Sequence, residues 1–257
     1  TIDSGSGNYI YQSTFTIPES GQWQGKVTKF DLNSVTGRIG DVVWEAGNKL
    51  NQKPAKNRKI WTVLPGSVGE MTNNFKVENA SALKSALYQG SGNIPTESQA
   101  KALIQFVRGL DSYDEDADSQ INDERGWKLA DVYHSEMAIV GPPVIPDSEL
   151  AENPNSEANY KKITGYEVFV RENMSRTPIV YAGANSGMLY AFNDNTGEEL
   201  WAFIPPNILS SLREMTTSVA NTTIPIYGVD GSPVVKDVFL RGQWRTVLMA
   251  GLGRGGQ

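Results

Sequence analysis

Seven carboxylates fall within the fourteen residues Asp111–Glu124, DSYDEDADSQINDE. Four of them, Asp114, Glu115, Asp116 and Asp118, follow one another with no interleaved Lys or Arg. Carboxylates at alternate positions can turn inward around one hard cation, which takes about six to eight oxygen ligands. Asp114, Asp116, Asp118 and Asn122 occupy positions one, three, five and nine of a D-x-D-x-D-x-x-x-[DN] loop. The run departs from an EF-hand at position six, where Ser119 replaces Gly, and at position twelve, where Arg125 replaces Glu. A bidentate ligand would then have to come from Asp123 or Glu124, or be absent. A solvated acidic run that binds nothing is the competing reading.

Other chemistry is thinly represented. His134-Ser135 pairs a base with a nucleophile, but His134 is the only histidine and neighbours on a backbone rarely face each other. A structural histidine near a blade junction is the expectation. No HExxH, Walker or Rossmann pattern occurs. Gly251–Gly256 is glycine-rich but follows a strand with no helix after it, which argues against phosphate binding. Arg108-Gly109-Leu110-Asp111 breaks an integrin-type tripeptide with Leu110 and is assigned no such role. Six tryptophans could stack on a flat cofactor, although Trp44 and Trp201 read as packing between blades.

The element that must position these residues is Ile179–Phe203, IVYAGANSGMLYAFNDNTGEELWAF. Ile179-Val180-Tyr181 and Met188–Phe192 have strand composition and flank Gly183–Gly187, whose Asn and Gly tolerate positive φ. Asn193–Gly197 is a second turn, and Glu198–Phe203, with Trp201, a third strand. Such a meander is a propeller blade or most of one. A looser copy, Asp31…Thr36-Gly37…Trp44, lies within strands predicted at 9–17, 25–32 and 41–46.

Residues 47–57 read as a polar exposed loop and Arg58–Leu64 as a strand ended by Pro65-Gly66. Helical composition begins at Ala80–Tyr88. A second helix starts near Thr96, with Ala100, Leu103, Ile104 and Val107 forming one apolar stripe. Residues 146–164 read as a long loop or short helical excursion, and 208–212 as a short helix. Strands are predicted at 224–229, 233–240 and 244–250, with turns at Asp230-Gly231 and Arg241-Gly242. The fold class is mainly β: part of a propeller of antiparallel blades over 1–257, with a helical insertion at about 80–110 and the acidic loop at 111–124.

Composition narrows the partners. A net charge of −6 and a pI near 5.0 argue against nucleic acid, whose phosphates demand clustered Lys and Arg. No apolar run approaches the roughly 20 residues of a membrane span. The absence of cysteine excludes disulfides, thiolate metal sites and cysteine catalysis. With Thr1 at one end and Gly255-Gly256-Gln257 at the other, an internal fragment and an incomplete propeller are expected.

The run AGANSGMLYAFNDNTGEELWAFIP resembles the central signature of the type IV pilus biogenesis and tip-adhesin family of the PilC/PilY type. Further matches are Trp23–Val27, Val43–Ala46, Arg58–Thr62, Phe106–Gly109, Arg125–Ser135, Val140–Pro143, Val229–Pro233, Trp244–Leu248 and Gly251–Gly256. They run in order over nearly the whole chain. The resemblance implies a non-enzymatic pilus assembly factor and tip adhesin, extracellular at the pilus tip or outer cell surface. Minor pilins and host or abiotic surfaces would be its partners. It also implies a calcium loop, to which Asp114, Asp116, Asp118 and Asn122 correspond. All-oxygen ligands on a flexible loop favour calcium over zinc or magnesium. A quinone-dependent dehydrogenase fragment shares the blade pattern but not Trp127–Ser135 or the helices. A scaffold propeller for outer-membrane protein assembly shares only the propeller.

Overall fold

The computed structural model describes residues 9–18, 23–63, 73–216 and 226–256, and the backbone alone of 2–3, 218–219 and 222–223. The chain is mainly β, and almost all of its pairing is antiparallel. The first sheet is a meander of β1 (Ile2–Asp3), β2 (Tyr9–Thr16), β3 (Gln24–Leu32) and β4 (Ile39–Glu45), in that order. Its β3–β4 pairing shifts register on either side of Phe30.

The second sheet has the order β5-β9-β8-β7-β6. Here β6 (Ala138–Val140), β7 (Ile179–Gly183), β8 (Leu189–Asn193) and β9 (Glu199–Phe203) form an antiparallel four-stranded blade. The expected Arg58–Leu64 strand contributes only β5 (Ile60–Trp61), which joins β9 in parallel. Leu64, Pro65 and Gly66 lie outside the described residues. β8 is buried almost throughout, with Tyr190 and Phe192 stacked at 5.5 Å. Two hairpins complete the β structure of the described residues: β10 (Ser218–Val219) with β11 (Thr222–Thr223), and β12 (Pro233–Leu240) with β13 (Gln243–Ala250). Arg241 and Gly242, at φ 51° and 79°, turn the second one. Tyr227, Gly228 and Val229 are not in a strand, contrary to the expectation for 224–229, whose first two residues lie outside the described set.

The two meanders use the same turn. In Asn33–Gly37 and in Asn193–Gly197 the leading Asn accepts the N–H two residues on through its side chain. In both, the Gly N–H donates to the Asn carbonyl at 2.8 Å, and the Thr hydroxyl accepts the N–H after the Gly. Gly37 and Gly197 stand at φ 66° and 73°, in the left-handed region. The repeat therefore starts at Asn33 rather than Asp31.

One turn grips the other sheet. Asp194 receives Tyr11 Oη at 2.5 Å and Lys29 Nζ at 2.9 Å on its carboxylate, and Trp44 Nε1 at 2.8 Å on its carbonyl. The Trp44 indole lies flat on Gly197, where a Cβ would come within 2.8 Å of it. Trp44 thus packs between the sheets, as its sequence setting predicts.

Between the sheets runs the segment 127–136. Trp127 Nε1 donates to the Gly25 carbonyl, and Gly25 N–H to the Leu129 carbonyl. A Cβ on Gly25 would sit 2.0 Å from the Ala130 carbonyl oxygen, so only glycine admits this approach. On the other side Asn185 N–H donates to the Asp131 carbonyl, and Gly183 N–H to Ser135 Oγ.

The two expected helices are α2 (Ala80–Leu87) and α3 (Glu97–Arg108), and α3 carries the predicted stripe. Thr96 and Gln99 form a capping box at the start of α3, and Gly109 at φ 116° ends it. Leu103, Ile104, Phe106 and Val107 enter the common core, each contributing about 1.5–3 kcal/mol of burial. Residues 47–57 are no loop: α1 (Ala46–Gln52) starts on a Glu45 cap and buries Leu50, and a 3-10 turn at Ala55–Asn57 buries Ala55. Within and after the 146–164 stretch come α4 (Glu157–Ile163) and α5 (Tyr166–Asn173). Short 3-10 turns at Pro206–Ile208 and Leu212–Thr216 replace the predicted helix.

Candidate functional site

The acidic loop hangs from the end of α3. Gly109 turns the chain, Leu110 bridges to Glu124, and Asp111 N–H donates to the Asp123 carbonyl at 2.9 Å. Arg125 N–H returns to the Gly109 carbonyl at 2.9 Å, so residues 112–122 form a closed loop. Its base is held by two buried arginines. Arg58 is fully buried and makes a 2.7 Å ion pair with Glu199 while donating to the carbonyls of Val107 and Arg108. Arg108 donates to the carbonyls of Ala55, Arg58 and Phe75. Burial first, and the Arg58 charge second, lower the Arg108 guanidinium to about 10.

Inside the loop, side-chain carboxylates fold the backbone around themselves. Asp114 accepts Ser119 N–H, Asp116 accepts Asp118 N–H, and Asp118 accepts Gln120 N–H. Asp111 is 2 % exposed and accepts Glu115 N–H on both oxygens at 2.8 Å. Burial raises the Asp111 carboxyl above its ordinary range, and the Glu115 N–H opposes this. Asp114, Ala117 and Ser119 take φ of 55°, 60° and 69°. Ser119 adopts the left-handed backbone for which an EF-hand loop uses glycine at that position.

Two carboxylate groups result, each with its oxygens within 4.8 Å of one another and able to hold a metal ion: Asp111, Asp114 and Asp116, and Asp116, Asp118 and Asp123. Of the residues singled out in sequence, Asp116 is common to both groups, whereas Asp114 falls in one and Asp118 in the other. Asn122 is exposed. Asp111 and Asp123 join the set, and one buried oxygen of Asp123, Oδ1, has no protein partner. Glu124 is turned away, bonded to Ala55 N–H at 3.0 Å and Lys128 Nζ at 2.7 Å. Glu115 is held by Arg125 at 2.6 Å, whose guanidinium lies 4.0 Å over the Phe106 ring. Asp111 could have been found in sequence as the carboxylate that directly follows the α3 stripe.

His134 and Ser135 face different partners. His134 Nδ1 lies 3.0 Å from Asp230 Oδ1, whereas buried Ser135 accepts Gly183 N–H. Trp201 tilts against Trp61 at 6.0 Å and Tyr181 at 5.8 Å. Trp61, Trp201 and Phe203 form one wall of an apolar groove of about 390 Å³ whose other wall is Val229, Leu248 and Leu252. Among the described residues, no helix is long and apolar enough to cross a membrane.

Comparison with known proteins fits this architecture. The family model described as the PilY1 beta-propeller domain matches residues 129–257. A type IV pilus biogenesis factor PilY1 of Pseudomonas aeruginosa (strain UCBPP-PA14) is 31% identical over 265 residues, covering 99% of this chain and 21% of that protein. A PilY1 homolog of Xylella fastidiosa (strain Temecula1 / ATCC 700964) is 28% identical over 98% of this chain and 18% of its own length. The chain therefore spans about a fifth of the curated relatives it matches. No solved structure matches it. The blade, residues 129–136 of the strap and the terminal hairpin lie within the matched sequence, and the chain belongs to the PilY1 beta-propeller family.

Proposed function

We propose that this chain is propeller sequence of a non-enzymatic type IV pilus assembly factor and tip adhesin, with a calcium-binding loop at 111–124 that controls its conformation. The observation that carries the reading is family membership, together with relatives named as type IV pilus biogenesis factors that align over 97–99% of the chain. We take residues 1–257 as one partial propeller domain, with the helices near 80–110 inserted in it. Minor pilins at the tip and host or abiotic surfaces are the partners, and the pilus tip or outer cell surface is the location.

For the loop, the reading rests on donor chemistry. Asp114, Asp116 and Asp118, with Asn122, supply oxygen only, and Asp111 and Asp123 stand beside them. Calcium there would supply the positive charge that these neighbouring carboxylates lack. Without it, repulsion among them favours an open loop. Since Gly109 and Arg125 pair at the loop base and Arg108 bonds the Ala55 carbonyl of the 3-10 turn, the loop state reaches the core through covalent neighbours.

The test is genetic. Deleting the gene that encodes this chain should remove surface pili counted by electron microscopy, with major pilin still present in the cells. Undiminished surface pili would overturn the assembly role.

A further inference from the structure

We propose that Asp131, Asp230 and His134 form an acid-tightened clamp that seats the β12–β13 hairpin, and with it one wall of the apolar groove, against the five-stranded sheet.

The clamp acts on residues 228–231, the approach to the hairpin. Val229 N–H donates to the Ala184 carbonyl at 3.2 Å and Gly228 N–H to Asn185 Oδ1 at 3.3 Å. Asn185 in turn donates through Nδ2 to Asp131 Oδ2 at 2.7 Å. The Asp131 carboxylate therefore orients the amide that receives Gly228. Three residues on, His134 Nδ1 meets Asp230 Oδ1 at 3.0 Å. Asp230 and Gly231 then donate their N–H groups to the carbonyls of Leu252 and Gly251, which closes the base of the hairpin. A Cβ on Gly183 would lie 2.2 Å from the Val229 carbonyl oxygen, so the segment is pressed directly against β7.

Asp131 is 1 % exposed, and its Oδ1 is buried with no protein partner. An ionised carboxylate with one oxygen undonated in such a site is costly, and Asp230 adds a second negative charge to the same neighbourhood. Burial, more than the Asp230 charge, holds the Asp131 carboxyl above the usual range, while the Asn185 bond and His134 pull it down. A proton on Asp131 removes both penalties. A carboxyl whose folded value is raised contributes stability below the ordinary Asp range, and that contribution is lost as pH rises through the raised value.

The groups that face the clamp are Asn185 from the β7–β8 turn, Asp230 from the hairpin approach, and Tyr133 beside the His134 ring at 4.3 Å. The middle and far end of the hairpin are held separately, by Tyr166 Oη on Asp237, Arg176 on Thr246 and Trp244 Nε1 on the Thr164 carbonyl. Loosening the clamped end alone would therefore move Val229 and Leu252 away from Trp61, Trp201 and Phe203 and open the groove.

Amide hydrogen exchange on the 257-residue chain, read at about pH 3.5, below the ordinary Asp range, and at pH 8, and corrected for intrinsic chemistry, tests this. Protection of 228–231 should fall by up to about tenfold per pH unit of linked titration. Protection of 189–193 in β8 should stay constant. Asp131→Asn should shrink the difference at 228–231. Should that variant not fold, Asp230→Asn, which removes the neighbouring charge that helps raise Asp131, should also reduce it. Wild-type protection of 228–231 that is equal at the two pH values overturns the proposal, as does a variant that folds and keeps the full wild-type difference.

Discussion

Substituting alanine at Gly197 and at Gly37 separates backbone strain from packing between the sheets, because the two glycines close the same turn. Both sit at positive φ and donate to an Asn carbonyl four residues back at 2.8 Å. A left-handed backbone costs a residue with a Cβ about 1–2 kcal/mol, and both variants carry that cost. They differ in surroundings. A Cβ at Gly37 meets nothing within 4 Å, whereas one at Gly197 lies 2.8–2.9 Å from three atoms of the Trp44 indole. Trp44 cannot step aside cheaply: it is 4 % exposed, bonded to the Asp194 carbonyl at 2.8 Å and packed on Tyr11. Forcing a methyl into such a contact costs about 1–3 kcal/mol more. With about 2–4 °C of Tm per kcal/mol for a chain of this size, Gly197→Ala should melt about 2–12 °C below Gly37→Ala. Urea unfolding of both variants gives the free-energy difference directly. Equal losses in the two would refute Trp44 and the Asp194 turn as the lock between the sheets.

Three further outcomes follow from the same geometry. Gly187, at φ 79° with Ile208 Cγ2 2.7 Å from where a Cβ would stand, should lose more than about 1 kcal/mol as Gly187→Val, and an unchanged Tm would contradict this. Arg58→Leu leaves the buried Glu199 carboxylate without its bidentate partner and should cost about 3–5 kcal/mol in equilibrium unfolding; a loss under about 1 kcal/mol would show that the pair is not structural. Raising pH from about 3.5, below the ordinary Asp range, to 8 should weaken protection of residues 228–231, with Asp131→Asn reducing the effect.

What could be read in the sequence was local. The Asn193–Gly197 turn, the strand composition of β12 and the stripe on α3 each follow from residues within a few positions of one another. The α1 helix was not legible, because only Ala46, Gly47 and Leu50 face the core and its cap is a Glu, a poor signal beside the usual Ser, Thr, Asp and Asn. The β-branched and aromatic run of α5 carries no cap signature either, and Gly165 stands at its N-cap without a side chain to accept. Contacts between the sheets escaped entirely: Tyr11, Lys29 and Trp44 meet Asp194 from 150 or more residues away. In the acidic loop the alternation of Asp114, Asp116 and Asp118 was visible. Capture of Glu115 by Arg125, and of Glu124 by Lys128, depends on where α3 ends and the strap at 127–136 begins.

Calcium binding by the 111–124 loop is the claim on which the proposed conformational control stands, and titration calorimetry of the chain with calcium tests it most directly. Asp116 is common to both carboxylate groups, so Asp116→Ala removes a ligand from each. Wild type should bind with a Kd of about 10⁻⁴–10⁻³ M, as expected of an extracellular oxygen-ligand site, and Asp116→Ala should give no binding heat over the same range. Identical heats for wild type and Asp116→Ala, or none for either, would contradict the account.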